Sequence, residues 1–104
     1  MSDQDQPIQD LLQRRLDLVA GVSALTAKTH KLIQEMSGTE MEILRLQLAL
    51  ERDHANNELA EALNEAEEQA SGIQSSQADC VAEIEAAEAA IAHIDRLIAV
   101  ARGG

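Results

Sequence analysis

The sequence has no phenylalanine, tyrosine or tryptophan. Aromatic rings dominate base stacking, planar-cofactor pockets and binding hot spots, so their absence argues against those functions. Any core must come from Leu, Ile, Val, Ala and Met, the larger of which contribute roughly 1.5–3 kcal/mol each on full burial. The one proline, Pro7, leaves almost the whole chain without a residue that forbids helix. The one cysteine, Cys80, has no intrachain disulfide partner, which fits a reducing compartment.

Basic residues are also scarce, eight Lys and Arg against nineteen Asp and Glu, for a net charge of −11. Such a field repels nucleic acid and anionic membrane surfaces and favours a basic partner or a cation. No apolar run approaches the ~20 residues a membrane-spanning helix needs, and no basic segment leads into an apolar one as in a secretory leader. A cytoplasmic, soluble chain with neither nucleic-acid nor membrane contacts is therefore expected.

What the chain has is heptad periodicity. Leu11, Leu18, Leu25 and Leu32 recur at sevens. With these at position d, the a positions are Ile8, Arg15, Val22, Thr29 and Met36, and Leu12, Val19, Thr26 and Ile33 fall at e. An apolar repeat of seven keeps one helical face toward a neighbour. The stripe spans a, d and e, wide enough for two neighbours, while Arg15 and Thr29 weaken a simple zipper because polar a positions carry a cost. No run of Lys or Arg precedes the stripe to meet phosphate, as a zipper transcription factor requires.

One domain of 104 residues is expected, all-α, folded as an antiparallel helical hairpin or three-helix bundle with coiled-coil-type packing. Residues 1–6 read as a flexible tail and 7–104 as a single helical domain with helices over 7–36, 40–71 and 77–102. Pro7 suits a first helical turn. Gly38 offers a left-handed cap, and Thr39 with Glu42 a capping box for the next helix. Ser71-Gly72 and Ser75-Ser76 mark the second break, with Ser76 and Asp79 as a weaker box. A single helix from Thr39 to Arg102 is the alternative. Charge concentrates in the middle segment: −1 over 1–37, −7 over 38–71 and −3 over 72–104.

The decad Met41–Leu50 is apolar nearly all round and wants burial on several sides. It is expected to contribute a subunit interface in a homo-oligomer, most simply a dimer. Leu11, Leu18, Leu25, Leu32, Ile43, Leu46 and Leu50 are the residues expected to drive assembly. Replacing Leu46 and Leu50 by Glu is then expected to give a monomer that keeps its helices.

The chemistry-bearing patterns are sparse. Glu51 and His54 have the Glu-x-x-His spacing of carboxylate-bridged metal bundles, where i and i+3 project from one helical face. The spacing is short and common, and a solvated charged face is the plainer account. His30 and His93 have no spaced ligand partners, and Cys80 falls at a core-like position where an inert thiol is expected. No phosphate-binding glycine loop, nucleophile elbow or zinc spacing is present. No cofactor, metal or enzymatic activity is expected. The functional expectation is a non-enzymatic coiled-coil protein that self-associates and binds an unidentified protein partner as a small scaffold, adaptor or chaperone. The alternative is an acidic inhibitor that mimics a nucleic-acid backbone through Glu51, Glu58, Glu61, Glu65 and Glu68. A carboxylate/His metal bundle is the lesser one.

Overall fold

A computed structural model describes residues 5–103. Two helices, α1 (Asp5–Arg52) and α2 (Asn57–Gly103), account for all of them except the turn 53–56. They pack against each other as a hairpin. Of the two architectures expected, the hairpin is the one adopted. The tail expected over 1–6 lies outside the described residues for 1–4, and α1 already begins at Asp5.

Both expected interruptions are absent. Helix α1 runs through Ser37-Gly38-Thr39, and α2 runs through Ser71 to Ser76. Neither Gly38 nor Gly72 takes the left-handed conformation that a helix cap uses. The reason lies in the heptad. Extended past Met36, the register set by the four leucines places Thr39 at d, Ile43 at a, Leu46 at d and Leu50 at a. A break at Gly38 would abandon half of that apolar face to spare a glycine cost of roughly 1 kcal/mol. The capping-box residues are used otherwise: Thr39 is buried, and Glu42 accepts two bonds from Arg45, with the Nε bond at 3.0 Å. The same holds in α2, where Leu63, Ala70, Gln77, Ile84, Ile91 and Ile98 stand at a with no change of phase. Its d positions are Leu59, Ala66, Ile73, Cys80, Ala87 and Ile94.

The single break falls where no interruption was expected. Asp53 N–H donates to the carbonyls of Ala49 (3.1 Å) and Leu50 (3.2 Å), closing α1. Asn56 N–H donates to the Asp53 carbonyl at 3.1 Å, completing a tight turn. The Asn56 side-chain oxygen then accepts from Leu59 N–H at 3.1 Å, the N-cap bond for α2, while its amide donates to the Asp53 carboxylate at 3.1 Å. Arg52 in the last turn of α1 and Glu58 in the first turn of α2 both complement the helix dipoles. With helices of 48 and 47 residues, a central turn is the one position at which each seam residue finds an opposite number.

The chain divides into two compact units, Lys28–Asp79 with the turn, and Met1–Ala27 with Cys80–Gly104. In the first, Leu32, Leu46, Ala66 and Ile73 are buried together with Thr39, and Met36, Ile43, Leu50 and Leu63 are half-buried. In the second, Cys80, Ile94 and Ile98 are buried, and Leu11, Leu18, Leu25, Ile84 and Ile91 are half-buried. Half-burial is what two helices impose, since each seam residue has a neighbour on one side only. Arg15, the charge at an a position, bonds through Nε to the Asp95 carboxylate of α2 at 2.6 Å. Both side chains stay about half exposed, so the pair contributes little stability. It gives a misplaced seam charge a partner and favours the register that supplies one.

Candidate interaction surfaces

The seven residues expected to drive assembly all point into the hairpin itself. Leu32 and Leu46 are buried, Leu46 to 1% exposure, and Leu11, Leu18, Leu25, Ile43 and Leu50 are half-buried. Their a and d positions turn them toward α2, so the seam they build is intrachain. Glutamate at Leu46 and Leu50 would therefore strike the core of the folded chain, and the expected outcome becomes loss of helix.

The apolar side chains left over tell a different story. All seven large aliphatic residues of α1 that remain exposed (Leu12, Leu16, Val19, Ile33, Met41, Leu44 and Leu48) occupy e, b or f. These positions adjoin one another on the helical wheel, on the side away from d. Within the decad, the structure thus exchanges roles: Ile43, Leu46 and Leu50 turn inward, and Met41, Leu44 and Leu48 stand out at 73%, 56% and 49% exposure. The sequence carries this sorting only on condition that α1 runs unbroken through Gly38. Carrying the leucine register through Gly38 sorts the decad into these two sets.

The first half of α2 presents the opposite character, whereas Val81, Leu97 and Val100 stand exposed in its second half. Glu58, Glu61, Glu65 and Glu68 fall at c and f, facing away from the seam, and all four are exposed. From 57 to 79 the helix carries six acids and no base. A shallow groove of about 350 Å³ lies in the other unit. Its walls are Val19, Val22 and Ile91, with the Arg15–Asp95 pair and Glu88 at the rim. It gathers aliphatic side chains, the Ser23 hydroxyl, the Glu88 carboxylate and one ion pair.

The metal spacing does not survive folding. Helix α1 ends at Arg52, so Glu51 lies in its last turn and His54 lies in the turn beyond it. The i, i+3 projection needs unbroken helix across both residues. Among the described residues no three His, Cys, Asp or Glu side chains gather as a metal would require. His30 and His93 are exposed, and Cys80 is fully buried at a d position. Among the described residues no helix is long and apolar enough to cross a membrane.

One perturbed carboxylate, Glu42 at g, lies on the seam-side flank of α1, with Arg45 at c between it and the outer stripe. The Arg45 guanidinium, hydrogen-bonded to Glu42 across one helical turn, holds the Glu42 carboxyl below its ordinary range. No protein family, curated protein or solved structure matches this chain.

Proposed function

We propose that the chain is a non-enzymatic helix-packing module: a two-helix coiled coil that self-associates and serves as a small scaffold or adaptor through helix–helix contacts. The observation that carries this reading is the sorting of exposed aliphatics on α1. A lone hairpin needs apolar residues only at a and d, yet α1 displays seven more, all on adjoining wheel positions. Scattered exposed leucines need no explanation, but a set confined to one side of a helix is the pattern of a docking face. Light scattering on the purified chain tests this. A mass rising from 11.2 kDa toward twice that value with concentration is expected. A constant 11.2 kDa up to millimolar concentration would overturn it.

The acidic outer face of α2 supports a second reading, an inhibitor that occupies a basic nucleic-acid site. Four exposed glutamates at spacings of three and four, unrelieved by any base over 57–79, form a negative ribbon. Binding to a basic nucleic-acid enzyme should then fall steeply with salt and vanish when Glu58, Glu61 and Glu65 become Gln. Retained binding in that variant would dismiss the ribbon.

A further inference from the structure

We infer that a second copy of this chain docks on the stripe Ile33, Met41, Leu44 and Leu48, with the two α1 helices side by side and parallel. The inference rests on the reading of the chain as self-associating and adds the face, the orientation and the charges that select them.

The stripe lies wholly within the unit Lys28–Asp79. Met41, Leu44 and Leu48 are spaced by three and four, as in a heptad seam, but on the side of α1 away from the intrachain one. Ile33 is 49% exposed and extends the same flank. Charge decides which side of the unit can meet a copy of itself. The α1 portion, 28–52, has four acids and four bases and is neutral, whereas the α2 portion, 57–79, has six acids and no base. Two acidic α2 faces repel each other; two α1 faces do not. Packing α1 on α1 also leaves both α2 ribbons in water.

The rims of the stripe set the direction. Glu40 flanks it on one side and Arg45 on the other, and both are exposed. In a parallel pair built on Met41, Leu44 and Leu48, these are the positions that bridge between helices, one rim residue meeting the residue five further along in the second copy. Glu40 then faces the partner's Arg45, twice by symmetry. An antiparallel pair centred on Met41 would set Glu40 against its own copy. Arg45 already binds Glu42 on its own helix, but a guanidinium has five N–H donors and can serve a second carboxylate. Three to four aliphatic side chains make a small patch, so the association is weak and reversible.

Sedimentation velocity on the full chain, over a concentration series, tests the face. Met41→Glu with Leu48→Glu should weaken association at least tenfold, with helicity at 222 nm unchanged because both residues are exposed. Leu12→Glu with Val19→Glu, in the other unit, should leave it intact. For the direction, Glu40→Lys and Arg45→Glu should each weaken the dimer and the swapped double variant should restore it. Leu48→Cys in a Cys80→Ala background should form a disulfide dimer on mild oxidation, because a parallel pair places Leu48 beside its own copy. A dimer that survives the Met41 and Leu48 changes overturns this face while leaving self-association standing. A dimer that Glu40→Lys leaves unweakened, or that the swapped double variant fails to restore, overturns the parallel orientation. A monomer at every concentration removes the self-associating module on which the inference rests.

Discussion

Replacing Gly38 by alanine separates a continuous α1 from a helix that stops at Met36, because the two predict opposite signs. In the hairpin, Gly38 sits in mid-helix, exposed, and a Cβ added to it meets nothing within 4 Å. Alanine there relieves the entropic cost of an interior glycine, about 1 kcal/mol. For a chain of this size that is a rise of about 4–8 °C in Tm. In urea it is an increase of about 0.3–1 M in midpoint at unchanged slope. Were Gly38 a left-handed cap between two helices, alanine would cost about 1–2 kcal/mol, and Tm would fall by a comparable margin. The gap between the outcomes is about 2–3 kcal/mol, well beyond the error of either melt. Gly72→Ala makes the same test of α2, since a Cβ there also meets nothing within 4 Å. Circular dichroism at 222 nm, with all proteins at one fixed micromolar concentration, is sufficient. Destabilisation by either substitution would refute the unbroken helix concerned.

Leu46, exposed by 1%, and Leu48, two residues on, offer a direct comparison of inner and outer faces. Leu46→Ala should destabilise by about 2–5 kcal/mol. Leu48→Ala, in dilute solution, should stay within about 0.5 kcal/mol of the parent. Asn56→Ala removes the side-chain oxygen that receives Leu59 N–H and should cost about 1 kcal/mol in urea melts; Asn56→Asp should recover most of it. Glu42 is held below its ordinary carboxyl range by Arg45, so its contribution is present at neutral pH and lost as pH falls through that lowered range. The Tm difference between the parent and Glu42→Gln should therefore be small and positive at pH 7 and vanish at strongly acidic pH. A difference that grows on acidification would contradict the assignment.

Helix content, the absence of aromatic chemistry and the heptad face were settled by the amino-acid order itself. They follow from local propensity and from a period of seven, which act within a few turns of chain. Even the inward positions Leu11, Leu18, Leu25 and Leu32 could be read from spacing alone. Where the chain reverses was not legible in the same way. Gly38 and Gly72 are stronger local stop signals than Asp53 to Asn56, and a residue-by-residue reading places breaks at both glycines. Tertiary packing decided otherwise, since two helices bury the longest shared seam when the reversal is central and their lengths nearly match, and that gain outweighs two interior glycines. The same choice settled which leucines of the decad lie inside. Once α2 folds back along the a and d positions, Ile43, Leu46 and Leu50 belong to the core, while Met41, Leu44 and Leu48 are left facing solvent. Periodicity says that a helix has an apolar side; only the position of its neighbour says which apolar residues are spare.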